Sequence, residues 1–225
     1  MGVSSGQIKG VVASLVLLAC ACSPSPERAR AKIEGSDVTF DAAGLARAVM
    51  SNDIKLVKLF VTAGYDVNSF EDPNDAPLML AARLSHRPTM KVLIAAGARA
   101  DELPGILRIP ASRGELKAMT MLLDAGAKID TGDAQNSTAL LAAIEFAHLQ
   151  SVEFLLDRGA DPDGVNPGAT PLIEAIRSGR LEIAEMLLEA GANPLKSSSG
   201  LNAIQIARRR GYEDFARRLE EIAGS

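Results

Sequence analysis

At 225 residues, 47% of them apolar, the chain is long enough for one domain with a substantial core. Its net charge of −4 and pI of about 5.3 disfavour a nucleic-acid-binding surface, which needs a basic patch. Aromatic residues make up 4% and tryptophan is absent, so the core must be built from Leu, Ile, Val, Met and Ala.

Residues 1–19 carry Lys9 and then the apolar run Val11 to Ala19, the pattern of a signal-peptide core and too short for a membrane span. Leu17-Leu18-Ala19-Cys20 follows, and it resembles the bacterial lipobox, in which the cysteine is lipidated. Cys20 is the preferred site and Cys22 the alternative; an ordinary secreted signal peptide is the plainer reading. The Ser/Pro stretch after Cys20 reads as an extended tether over 20–37, which leaves 38–225 for the folded domain. No Asp stands in the two places after Cys20, which by resemblance favours the outer membrane, facing the periplasm. Both cysteines of the chain lie in this segment, so no disulfide, thiolate nucleophile or cysteine metal ligand is available downstream.

From there the chain repeats itself. An apolar triplet, two spacers and Gly recur at Gly64, Gly97, Gly126, Gly159 and Gly191, spaced by 33, 29, 33 and 32 residues. A fixed period in this range signals stacked structural repeats. Each marker reads as the end of a buried helix, with Gly in the left-handed position beyond it. Units start near 43, 76, 105, 138, 170 and 202.

The unit from Thr170 to Ala192 is the clearest. Thr170 is placed to cap a first helix, Pro171 suits its first position, and Leu172, Ala175 and Ile176 share one face. Gly179 allows a tight turn into a second helix carrying Ile183, Met186, Leu187 and Leu188. Together with Thr138-Ala139-Leu140 and Ala76-Pro77-Leu78, this resembles the ankyrin repeat. The implied fold is an all-α repeat solenoid of about six helix-turn-helix repeats joined by hairpin loops. The first unit is looser and reads as an N-terminal cap; the charged helix Glu213 to Ile222 reads as the C-terminal one. In the third unit the hairpin is truncated, and Pro110 falls inside the first helix, which should be short or start late. No unit has the family's full Thr-Pro-Leu-His, whose last slot holds Met79, Arg108, Leu141, Ile173 and Gln205.

Catalytic signatures are missing. His86 and His148 sit one place after the inter-helix turns, so the repeat phase accounts for them and a structural role is expected. Asp72 with Asp75 and Asp161 with Asp163 lie in predicted hairpin tips, where Asp serves turn chemistry. Asp130-Thr131-Gly132-Asp133 lacks the ligand spacing of a calcium loop. No phosphate loop, zinc motif or nucleophile elbow is found, and no cofactor or metal is expected. Late arginines, from Arg208 to Arg218, are interleaved with acids and read as a solvated face.

The ankyrin resemblance implies a protein partner bound through hairpin tips and the ends of the first helices. The candidate residues are Asp72, Asn74, Asp75, Ala134, Gln135, Ser137 and Asn166 at the tips, and Arg83, Leu84, Ser112, Arg113, Glu145, Phe146, Arg177 and Ser178 at the helix ends. Phe146 is either an exposed anchor or packed into the irregular third repeat. Arg83, Arg113 and Arg177 are either a row suited to an acidic partner or ordinary solvated arginines. The expected function is a monomeric, non-enzymatic protein-interaction module, touching the membrane only through its lipid anchor and binding no nucleic acid. The alternatives are a periplasmic immunity protein that neutralises a toxin and, least favoured, an enzyme.

Overall fold

The structure is a computed structural model that describes residues 24–164, 170–197 and 200–224. Cys20, Cys22 and Asn166 lie outside the described residues. The helices are α1 Pro26–Glu34, α2 Ala42–Met50, α3 Ile54–Thr62, α4 Pro77–Arg83, α5 Arg87–Ala95, α6 Arg108–Ser112, α7 Leu116–Asp124, α8 Ala139–Glu145, α9 Leu149–Asp157, α10 Pro171–Arg177, α11 Leu181–Glu189, α12 Ala203–Arg209 and α13 Glu213–Ala223. No strand is present among the described residues, so the solenoid expected from the sequence is the fold observed.

The stack has two layers. The short helices α2, α4, α6, α8, α10 and α12 pack each on the next, and each also packs on the longer helix that follows it. In the longer-helix layer, α1, α3 and α5 are consecutive neighbours, as are α7, α9 and α11. One continuous aliphatic core runs between the layers from Ile33 to Leu219. Phe60, Leu78, Leu93, Leu122, Ile144 and Leu155 are fully buried, each contributing about 1.5–3 kcal/mol relative to exposure.

Local chemistry explains where helices start and stop. Thr138 and Thr170 cap α8 and α10 by accepting from the amides of Leu141 and Ile173 at 3.3 and 3.2 Å. Asn202 and Gln205 form a reciprocal capping box at α12. Asp41 caps α2 at 2.8 Å from the Gly44 amide. That bond, with a smaller contribution from Thr39, holds the Asp41 carboxyl below its ordinary value. The cap is therefore intact above the usual carboxylate range and is lost as pH falls through the lowered value. The five marker glycines all have φ between +80° and +94°, the left-handed stop expected of them.

The third unit is irregular, as its sequence suggests. Helix α6 has five residues, with Pro110 third among them. Amides of a first turn have no intrahelical partner, so the ring removes nothing there. The shortened hairpin lets the next loop close in: a Cβ at Gly105, where φ is +68°, would lie 2.8 Å from the Asp133 backbone.

Within the stretch 20–37, the described residues 24–37 depart from the tether reading. Over Pro26–Glu34 the chain is helical, capped by Ser25, and it packs on α3 with Ala29 and Ile33 fully buried. Ser25-Pro26-Glu27 is a helix start rather than a linker: a cap, a proline in the first turn and an early acid. The packed body therefore begins before residue 38, and α1 covers the face of α3 that no earlier repeat would cover.

Candidate protein-interaction surface

Side chains at the starts of several longer helices reach back to the repeat before. The His86 Nδ1–H donates to the Val49 carbonyl at 3.0 Å, and the His148 Nε2–H to the Ser112 carbonyl at 2.9 Å. A carbonyl only accepts, so the bonds fix which nitrogen carries the proton in each ring. Arg180 does the same with its guanidinium, at 2.7 Å from the Glu145 carbonyl. Both histidines thus hold neighbouring repeats together, the structural role expected of them.

The loops are laced in the same way. The Asn68 side chain accepts from the Arg99 amide at 3.0 Å and donates to the Gly97 carbonyl at 3.0 Å. Asp130 accepts from the Asp161 amide, and Asp163 from the Asn193 amide, each at 3.0 Å. Asp161 also turns its own loop by accepting from the Asp163 amide at 2.9 Å. These acids are turn and inter-loop acceptors. No group of three or more His, Cys, Asp or Glu side chains is placed to hold a metal among the described residues.

This scaffold holds a line of side chains at the ends of the short helices. Leu84, Arg113, Phe146 and Ser178 occupy one slot of successive repeats, immediately before the turn. Phe146 is 54% exposed and Leu84 44%, which settles Phe146 as a surface residue. Between them, Arg113 donates to the Arg83 carbonyl and to Ser85 Oγ, each at 2.8 Å, and Ser85 Oγ–H in turn donates to Glu115. Its guanidinium is thereby fixed in place. Glu145 is exposed beside Phe146.

The three-arginine row expected as one option is not a row of free cations. Arg177 is half-buried and pairs with Glu174 at 3.3 Å, and Ser178 donates to the same carboxylate at 2.9 Å. Arg83 and Arg113 are both exposed without an ion pair among the described residues, but the Arg113 guanidinium is held by the Arg83 carbonyl and Ser85 Oγ.

The tips divide between structure and surface. Asp72 accepts from the amide and side chain of Asn74 at 2.8 and 2.9 Å, shaping the turn Pro73–Asp75. Asp133 accepts from the amides of Gln135 and Ser137 at 3.0 Å each, and its carboxylate meets Arg108 Nε at 3.1 Å. Asn74, Asp75, Ala134 and Gln135 remain exposed, while Ser137 is half-buried.

A groove of about 340 Å³ opens between α2, α4 and the loop joining the first two repeats. Ala42, Ala46 and Met50 form one wall, Pro77 and Leu80 the other, and Phe70 the loop side; Glu71 and Asp75 supply carboxylates. Of the groove residues, only Asp75 is among the partner-binding candidates of the sequence. Met50, 54% exposed, is missed there, although repeat phase puts it in the slot of Arg83, Glu145 and Arg177. Carrying that slot back into the first unit is the signal that finds it.

Comparison with known proteins agrees with this architecture. The family model of ankyrin repeats matches residues 45–133 and 107–198. The crystal structure of an ankyrin repeat domain from Acinetobacter baumannii is 31% identical, with a TM-score of 0.71, covering 82% of this chain and 99% of that one. The chain belongs to the ankyrin-repeat family. Among curated proteins it is similar to the ankyrin repeat and KH domain-containing protein mask-1 of Caenorhabditis elegans, 31% identical over 125 residues. It is also similar to an L-asparaginase of Dirofilaria immitis, 29% identical over 119 residues. About half of this chain is matched in each, and it spans only 5% and 20% of those proteins' lengths. Ankyrin repeats form a typical protein-interaction module, and that is the class of protein this chain represents.

Proposed function

We propose that the chain is a membrane-tethered, non-enzymatic module of the bacterial envelope, lipidated at Cys20 and binding one partner protein. The partner docks on the ends of the short helices and the groove beside them. The observation that carries this reading is the combination of Met50, Leu84 and Phe146 exposed at 54%, 44% and 54% with a guanidinium fixed between two of them. Aromatic residues, Met and Arg are the side chains enriched at protein interfaces, and Phe146, Met50 and Arg113 supply all three. Glu71 and Asp75 at the groove and Arg113 on the line give the partner polar contacts of both signs.

Two experiments test the two halves. Growth with a clickable fatty acid labels the wild-type chain and leaves the Cys20→Ser variant unlabelled; equal labelling of both sinks the assignment to Cys20. Affinity capture from detergent-solubilised envelopes compares wild type with a Leu84→Ser/Phe146→Ser double variant. These positions are exposed, so the fold is retained and thermal melts should agree within a few degrees. A specific partner retained by wild type drops at least about tenfold with the variant, as loss of two apolar anchors at about 1–2 kcal/mol each requires. Undiminished capture removes these residues from the interface.

A further inference from the structure

We propose that the longer-helix side of the N-terminal half docks flat on an anionic lipid surface. The net charge of −4 hides a segregation along the stack. Helix α3 carries Lys55 and Lys58, α5 carries Arg87 and Lys91, and neither holds an acid. Helices α9 and α11 carry Glu153, Asp157, Glu182, Glu185 and Glu189, and neither holds a base. The register is the same: the slot of Lys58 and Lys91 in the first and second repeats is filled by Glu153 and Glu185 in the fourth and fifth.

The basic half is one continuous surface, because α1, α3 and α5 pack side by side. Lys55, Lys58, Arg87 and Lys91 are all exposed, as are Arg28 and Lys32 on α1. None of these six is in an ion pair among the described residues, whereas the acidic half ties Glu185 to Arg218 at 2.9 Å. Glu27, Glu34 and Asp53 also face this end, but Glu34 is taken up by Arg30 at 2.8 Å and Asp53 caps α3 at 3.0 Å from the Leu56 amide.

The position of this face selects its occupant. The chain before residue 24, with the apolar run Val11 to Ala19, joins the stack at α1, the helix bordering the basic surface. From Cys20 to Pro26 an extended chain reaches no more than about 20 Å. This proposal rests on the lipid-anchored reading: an anchor so short keeps α1 at the headgroups, where basic side chains add attraction to anionic lipid. Docking through α3 and α5 leaves the line through Leu84 and Phe146, at the ends of the short helices, open to a partner.

Flotation with vesicles tests it, using the purified full chain carrying Cys20→Ser and Cys22→Ser so that no acyl chain takes part. Vesicles are phosphatidylcholine alone or with one-third phosphatidylglycerol. The expected result is binding that needs phosphatidylglycerol and weakens steeply between about 0.05 and 0.5 M salt. Replacing Lys55, Lys58, Arg87 and Lys91 by Gln lowers affinity at least about a hundredfold. The same replacement at Lys128, Arg158, Arg209 and Arg210, equal in charge, changes it less than about threefold. Equal binding to both vesicles, or equal loss in both variants, overturns the proposal. So does salt-sensitive self-association through the four residues without vesicle binding, which would make a second copy the occupant. Fatty-acid labelling reads the anchor separately: a labelled chain with no preference for phosphatidylglycerol leaves the tether standing and removes the docking face.

Discussion

Thr89 and Ser151 fill the same slot of their repeats, three residues after His86 and His148, and both are fully buried. Their hydroxyls fare differently. Thr89 donates to the Asn52 side chain at 2.7 Å, across to the preceding repeat. The slot equivalent to Asn52 one repeat before Ser151 is Gly114, which has no side chain to accept, and Ser151 Oγ is left without a partner in the protein. A paired hydroxyl stabilises by about 1 kcal/mol, while an unpaired one costs about 1–3 kcal/mol. Opposite signs follow for two conservative changes. Thr89→Val should lower stability by about 1 kcal/mol, and Ser151→Ala should raise it by a similar amount, both read from urea unfolding midpoints at constant slope. Repeat phase aligns these positions on paper; the difference between them appears only when the neighbouring repeat's side chain is known.

At the scale of elements, the repeats are legible in helical periodicity and the five glycine stops, reinforced by capping side chains at α2, α8, α10 and α12. Pro110 announced the shortened α6 for the same local reason. The first helix is signalled by Ser25-Pro26-Glu27 and by the spacing of Ala29 and Ile33, but the same prolines also suit an extended linker. Burial decides between the two readings. Ile33 is fully buried against α3, so Ile33→Ala should cost about 2–4 kcal/mol, measured by chemical denaturation. A tether residue would change stability by less than about 0.5 kcal/mol.

At the scale of the molecule, composition misleads about charge. A chain that is acidic on average presents a basic longer-helix face at one end and an acidic one at the other, because like charges fall in the same slot of adjacent repeats. The candidate site shows the same limit. The slot of Leu84 and Phe146 followed from repeat phase, but the groove did not. It forms where the loop bearing Phe70 meets α2 and α4, contacts made by stacking rather than by local pattern. The ion pair of Arg177 with Glu174, by contrast, lies one turn apart within α10 and is open to local pattern.

The central claim is that the ends of the short helices form the partner-binding surface, and in-cell photo-crosslinking tests it most directly. A photoreactive amino acid would replace Phe146 in the full chain, with a control at Glu189, exposed on the longer-helix side of the acidic half. The account predicts a discrete adduct from Phe146 that mass spectrometry resolves into one partner protein, and none from Glu189. Adducts of equal yield from both positions, or an adduct from Glu189 alone, would contradict it.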